Sequence, residues 1–424
     1  MKLRRLPEDF QVEEVATIAE TSGRFALYEL QKRSIGTPEA IAAIGSIWKL
    51  PGRRIAYGGL KDKHAVTSQF VSIQDGPHTS LQHEQFLLSY LRQCEHPYSS
   101  RCIDGNRFTI VMRDLSRREA DFAVTALSAV EEFGLPNYFD NQRFGSLGFS
   151  GEWIAAALCR GDYERALWLA LADPHPDDSS TEKQQKQILR DHWGQWVDCQ
   201  KALSKSHRRS IITFLSDKVK AGKPADVRGA FARISPDLRG LYLSAWQSAI
   251  WNRVVSRLIE QIVSSTSESG MISCHVELKS GPACFPLSAP PETVQNGLLQ
   301  HHACEDAALS SRQLIRQQLS TMKVQLPSAR IPQPDGAVGR ILAEVLNEEG
   351  LCLKDVRVKS PRDCFFSRAY RSVMIMPEDI SASLAEDELY PGRLRMTLRF
   401  ELPPGSYATI LVKQLTSVAQ ERNS

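Results

Sequence analysis

Four stretches of this chain have the residue types and spacing to do chemistry. The first is Gly58-Gly59-Leu60-Lys61-Asp62-Lys63-His64-Ala65-Val66-Thr67-Ser68-Gln69. Paired glycines let a ligand or another backbone approach closely and place an acid on a tight loop. An aspartate between two lysines suits a nucleophile or base whose charge is held by nearby cations. The same letters also describe a charged β-turn. The other three are Asn106-Arg107-Phe108, Pro136-Asn137-Tyr138-Phe139-Asp140-Asn141-Gln142-Arg143-Phe144-Gly145 and Leu402-Pro403-Pro404-Gly405-Ser406-Tyr407-Ala408-Thr409. Each joins an aromatic ring to amide or basic groups beside a turn, the mixture that stacks on and hydrogen-bonds an unstacked base. Read singly, each also fits an aromatic packed in the core near a loop.

The elements that must position these stretches follow from periodicity. Phe10 and Val12, then Phe25 and Leu27, alternate with polar neighbours as half-buried strands do. Thr37-Pro38-Glu39 reads as a helix start with Thr37 as N-cap, and Ile41, Ile44 and Trp48 continue it until Pro51. Short strands are expected at Ile55-Ala56-Tyr57, Phe70-Val71-Ser72-Ile73 and Phe108-Thr109-Ile110-Val111-Met112. A helix follows with Phe122, Leu127, Val130 and Phe133 inward, closed by Gly134. From there to about Pro361 the composition turns helical, with polar breaks at Ser264–Gly270 and Leu287–Glu292. The longest helix is expected from Leu238 to about Val263, burying Tyr242, Ala245, Trp246, Ala249 and Ile250. Strict alternation returns at Leu394, Met396, Leu398 and Phe400. A sheet that opens before residue 118 and resumes after about 370 implies one domain carrying a large insert.

With 424 residues and 47.5 kDa the chain holds two or three domains, and 42% apolar and 24% charged residues place it among ordinary globular proteins. No stretch approaches the roughly 18 apolar residues of a membrane span. Pro7, Glu8 and Asp9 stand where a signal peptide would be apolar, so the cytoplasm is the expected location. Nine cysteines without a C-x-x-C pair support neither a disulfide framework nor a zinc ribbon, and are expected reduced and buried. His301, His302 and Cys304 match no standard zinc spacing and read as a polar surface turn. The net charge is only +3, yet twelve Lys/Arg against five acids between Glu182 and Arg233 make that segment +7. Phosphate contacts require such a segment, and a solvated helical face would look the same.

In this order the stretches resemble the TruD family of tRNA pseudouridine synthases, from Pro7 to about Val412. Pro7-Glu8-Asp9-Phe10-Gln11-Val12-Glu13-Glu14 is similar to the family's opening strand, and Gly59–Thr67 to its catalytic loop. Gly105-Asn106-Arg107-Phe108 resembles its uridine-pocket stretch, and Asn137-Tyr138-Phe139 with Gln142-Arg143-Phe144-Gly145 the start of its inserted domain. Ser248-Ala249-Ile250-Trp251-Asn252 with Arg257 resembles its long helix, and Pro404–Thr409 its C-terminal pocket turn. Two departures stand out: Asp140 replaces a usual glycine, and residues from about Cys159 to Arg233 have no clear counterpart in compact bacterial members.

The resemblance implies an α+β fold: a pseudouridine synthase catalytic domain on a mixed antiparallel sheet (residues 1–133 and 375–424) and an inserted α/β TRUD domain (134–374). The basic helical segment at about 160–235 falls within the insert. It implies Asp62 as the catalytic nucleophile, and Phe10, Asn106, Phe108 and Tyr407 as the substrate pocket. Arg4, Lys61 and Lys63 are the candidate charge partners. In an extended segment Lys61 and Lys63 would point away from Asp62, so the facing cation would come from elsewhere, and the resemblance points to Arg4. The expected reaction is conversion of uridine to pseudouridine at position 13 in the tRNA D-arm, with no cofactor, no metal and tRNA as partner. No membrane or protein partner is implied, and a monomer is expected. Two other readings compete. One is a non-catalytic RNA chaperone on the same fold, against which the intact Asp62, Asn106 and Tyr407 count. The other is a carboxylate glycosidase, which lacks a second acid beside Asp62.

Overall fold

The structure, a computed structural model, describes residues 1–19, 22–265, 271–288 and 305–417. The His301, His302 and Cys304 cluster lies outside these residues. So do most of the expected breaks at 264–270 and 287–292.

The chain builds a mixed sheet of nine strands: β1 (Phe10–Ala16), β2 (Phe25–Arg33), β3 (Ile55–Tyr57), β4 (Val66–Gln74), β5 (Leu81–His83), β6 (Phe86–Cys94), β7 (Ile103–Leu115), β8 (Glu378–Glu386) and β9 (Leu394–Leu402). Their order is β8-β9-β7-β1-β4-β2-β6-β5, with β3 paired to β4. Only β1 and β4 run parallel; the other pairs are antiparallel. The sheet begun in the first 115 residues is thus completed by residues 378–402, on the opposite side of β7 from β1. Across this seam Val12 stands opposite Phe108, and Phe108 opposite Phe400. Because side chains alternate with period two, Phe10, Val12 and Glu14 share one face with Asn106, Phe108 and Phe400.

Two apolar layers cover the sheet. The helix Thr37–Ile47 packs Ala40, Ile41 and Ile44 against Tyr28, Leu30, Val71 and Ile73. Its start differs from the sequence expectation. Gly36 is the N-cap and makes no side-chain cap bond, while Thr37 is the first helical residue. The Thr37 hydroxyl is unavailable for capping because it is fully buried and bonded to Gln69 at 2.8 Å. On the other face the helix Arg117–Phe133 starts at a Ser116–Glu119 capping box and ends at Gly134, whose φ of +88° suits glycine. Its Leu127, Val130 and Phe133 join a core that continues without a break into Trp246, Ile250 and Trp251. Those residues belong to the long helix Pro236–Ser264, which begins at the Ser235 cap. The hairpin Met271–Leu278 and Gly281–Ser288 follows that helix in the chain. Among the described cysteines Cys94, Cys199, Cys284 and Cys364 are buried and free, but Cys352 is exposed, against expectation.

The N-terminal segment is tied down by one buried charge. Arg113, 3% exposed, donates through Nε to Asp9 at 2.9 and 3.0 Å and through Nη1 to Asp387 at 3.1 Å. Backbone bonds between Lys2 and Arg113 (2.7 and 2.9 Å) pin the chain start to β7. Removing one member of a buried ion group strands the others without water or partner. Arg113→Met is expected to lower stability by about 3–5 kcal/mol, read from the urea midpoint, and an effect below about 1 kcal/mol would make this network peripheral.

Candidate active site

Asp62 lies on the loop between β3 and β4, whose residues 58–65 have no strand or helix of their own. Buried backbone polar groups need partners, and here side chains supply them. The Lys32 ammonium, on a side chain only 2% exposed, donates to Ile35 O at 2.7 Å, Asp62 O at 2.8 Å and Lys61 O at 3.4 Å. Thr37 Oγ1 accepts the Lys61 N–H at 3.0 Å, and Gln69 Nε2 donates to Gly59 O at 3.1 Å. The Asp62 carboxylate is then aimed: Oδ1 accepts the His64 N–H at 2.9 Å, and Oδ2 pairs with Arg4 Nη1 at 2.8 Å. Arg4 is therefore the cation at the aspartate. Its guanidinium also lies over the Phe10 ring, 4.1 Å from the centroid.

Lys61 and Lys63 go elsewhere, as the alternation argument expected. Lys61 Nζ meets Glu14 Oε2 at 2.8 Å and Asn106 Oδ1 at 2.5 Å, on the sheet side of the loop. Lys63 is exposed and lies 3.7 Å from Glu39, so it takes no part in the cleft. The Glu14 side chain is fully buried and accepts from Tyr98 Oη at 2.7 Å and from the Phe70 N–H at 3.1 Å. Burial, reinforced by Glu14, holds the Tyr98 phenol well above its ordinary pKa.

A cleft of about 220 Å³ joins these parts. Its lining includes Arg4, Phe10, Leu60, Lys61, Asp62, Asn106, Phe108, Gln142 and Tyr407. The structure thus gathers all the expected site residues except Lys63. Phe108 is held edge-on to Phe10 (6.4 Å) and stacked on Phe400 (5.4 Å), so its exposed edge is rigid. A larger cavity of about 400 Å³ touches the cleft at Gln142. It holds neither Asp62 nor the cleft's aromatic rings, and its Lys186 is already paired with Asp178.

Tyr407 comes from the far end of the chain and is set by residues 134–374. Arg371 donates to Asn137 O (2.8 Å), Asn137 Oδ1 (2.6 Å) and Gly405 O (3.0 Å), fastening the C-terminal turn to the Asn137-Tyr138-Phe139 stretch. Its guanidinium lies over Phe139 at 4.1 Å, and burial pushes its pKa down to about 10. Asn252 clamps the Phe139 backbone from the long helix, accepting its N–H at 2.9 Å and donating to its carbonyl at 2.8 Å. Asp140, the departure from the usual glycine, has an ordinary φ of −81°. Its carboxylate pairs with Lys413 on the helix Ala408–Leu415 that follows Tyr407. Burial raises the Tyr407 phenol, with Arg143 and Arg371 opposing.

A family model described as tRNA pseudouridine synthase D (TruD) matches residues 1–415. The chain belongs to this family. It is accordingly an enzyme, an isomerase that converts uridine to pseudouridine in tRNA. Among its relatives, the probable tRNA pseudouridine synthase D 2 of Methanocaldococcus jannaschii is 29% identical over 417 residues, covering 98% of this chain and 91% of its own. The tRNA pseudouridine synthase D of Leptospira interrogans is 28% identical over 422 residues, covering 97% and 95%. The crystal structure of a putative member from Methanosarcina mazei shares the fold, with a TM-score of 0.73 at 24% identity over 98% of this chain and 93% of that one.

Sequence reasoning missed Lys32, Glu14, Thr37, Gln69 and Arg371. For two of them a signal was present. Lys32 falls in phase with Ala26, Tyr28 and Leu30, and Glu14 in phase with Phe10 and Val12; a charge on the buried phase of a strand must have a partner. Burial lowers the Lys32 pKa to about 8, against the attraction of Asp62 and Glu39. Below that value the charged ammonium grips the loop carbonyls, and as pH rises through it the grip weakens. Turnover should therefore decline through about pH 8. Lys32→Met should be at least about tenfold slower at neutral pH and lack that descent in its kcat–pH profile. A variant keeping the wild-type profile would release Lys32 from this role.

Proposed function

We propose that this enzyme isomerises uridine 13 in the tRNA D-arm, with Asp62 acting on the ribose of a nucleotide held by Phe10, Asn106, Phe108 and Tyr407. The observation that carries this reading is the Asp62–Arg4 pair at the rim of a cleft walled by aromatic edges and the amides of Asn106 and Gln142. Arg4 and the His64 N–H fix the carboxylate at the cleft, where it can act as nucleophile or base. The target base must leave its stack, and a narrow cleft of this composition receives a single base. The N1–C1′ bond breaks, with Asp62 either attacking C1′ or taking the 2′ proton. The uracil turns and C5 bonds to C1′ as Asp62 leaves C1′ or returns the proton to C2′; the C5 proton then leaves, and N1 gains a proton. The product has the composition of the substrate, the hydrogen lost from C5 being balanced by the one gained at N1.

The proposed division remains a catalytic domain at residues 1–133 and 375–424 and an inserted domain at 134–374. Two observations support it: the sheet closes only with residues 378–402, and Phe139 and Arg371 meet Tyr407 at the seam. Among the described residues no helix is long and apolar enough to cross a membrane.

The basic segment folds as the helices Ser180–Asp191, Trp196–Ala202, His207–Lys220 and Val227–Ala232, anchored by an edge-on Trp193–Trp196 pair. Much of its charge is spent internally. Lys186 pairs with Asp178, Arg208 with Glu182, and Arg209 donates to Gln200 O at 3.0 Å. Arg233 lies over Phe214. Lys183, Lys205 and Lys223 are exposed and free to meet phosphates, and Lys201, Lys220 and Arg228 are exposed too while leaning on Asp198, Gln200 and Tyr163.

Asp62→Asn should reduce tritium release from tRNA labelled at uracil C5 below about 1% of wild type while tRNA affinity stays within a few-fold. Substantial residual turnover would remove Asp62 from the chemistry. Replacing Lys183, Lys205 and Lys223 together by Ala should raise KM for tRNA, spare saturated turnover, and flatten the slope of log affinity against log salt by about 2–3. An unchanged slope would mark the segment as a solvated face.

A further inference from the structure

The Asn106 amide has only one possible orientation. One of its terminal atoms lies 2.5 Å from Lys61 Nζ. An ammonium has three donors and no acceptor, so that atom must be the oxygen. Lys61 cannot turn away, because its ammonium is 2.8 Å from Glu14, whose side chain is fully buried and already accepts from Tyr98 and the Phe70 N–H. The Asn106 Nδ2 is left without a protein partner among the described residues, on a residue that lines the cleft beside Asp62.

We propose that Asn106, locked by the Lys61–Glu14 pair, is a donor-only reader that bonds a uracil carbonyl before and after the base turns, and so selects uracil over cytosine. This rests on the reading of the cleft as the uridine pocket. A half-turn of uracil about its N3···C6 axis exchanges N1 with C5 and O2 with O4. Isomerisation requires that exchange, so a fixed donor facing one carbonyl faces the other once the ring has turned. The same hydrogen bond serves both states. Cytosine carries an amino group at C4 and would set donor against donor in one of the two, whichever carbonyl is met first. An unpaired buried donor is costly, and sites built to hydrogen-bond one group reject its replacement.

The test is the rank order of two variants, with tRNA labelled at uracil C5 and kcat and KM measured from tritium release. Asn106→Ala removes the donor. Asn106→Asp keeps the shape but turns an acceptor oxygen toward the carbonyl. The expected order is wild type, then Ala, then Asp, each step lowering kcat by roughly tenfold. The Asp deficit should persist from pH 6 to 8.5. Asp equal to or better than Ala overturns the proposal, and so does recovery of Asp at the upper end, which would assign its loss to repulsion of Asp62. The double variant Lys61→Met with Glu14→Gln frees the amide without stranding a buried charge. It should lose about tenfold in kcat with tRNA affinity unchanged, and an unchanged kcat overturns the lock. Wild type is the control for the underlying reading: Asp62-dependent tritium release with the wrong variant order sinks only this inference, whereas no release from any tRNA sinks the reading itself.

Discussion

A reactive carboxylate must sit on a segment flexible enough to be reached and still be held in one place. In this protein the buried Lys32 ammonium reconciles the two demands. The loop 58–65 has no ladder to satisfy its backbone, so one cation on the adjoining strand takes up the carbonyls of Lys61 and Asp62. Thr37 and Gln69 hold the rest of the loop from the helix and strand that flank it. Without those contacts the loop carbonyls would have to face solvent, and Asp62 would lose its position against Arg4.

The site also depends on bringing both chain ends to one seam. Arg4 precedes β1 and Tyr407 follows β9, and β7 separates these strands in the sheet. The Arg113 network fixes the first end and Arg371 the second. Each is a single arginine joining segments more than 100 residues apart, and a guanidinium suits this because its planar fork bonds several acceptors at once. Asp140 adds a further tie to the Tyr407 helix through Lys413, which explains why a carboxylate is tolerated there.

Charge is used in two different ways. The ion pairs nearest the cleft each fix a geometry, Arg4 aiming the partly exposed Asp62 and the buried Glu14 anchoring Lys61. Between Glu182 and Arg233 six of the twelve cations pair with acids or cover aromatic rings, so half of them are held in place by their neighbours. A count of lysines and arginines cannot reveal this, since pairing depends on which helices meet.

The sequence by itself determined the local elements and the family. Alternation at Leu394–Phe400 and helical spacing at Tyr242–Ile250 are near-neighbour patterns, and the motif around Asp62 is contiguous, so each can be read from the residues in order. An extended backbone around Asp62 would also turn Lys61 and Lys63 away from it, which is as far as the sequence goes there. Only the tertiary structure decided what those side chains reach: Lys61 a buried glutamate 47 residues earlier, Lys63 only the exposed Glu39. It likewise decided that the Thr37 hydroxyl supports the loop instead of capping its helix. The physical reason is that a hydrogen bond or ion pair is made by whichever partner folding brings within about 3 Å, and strand order, which sets that partner, arises from the packing of the whole chain.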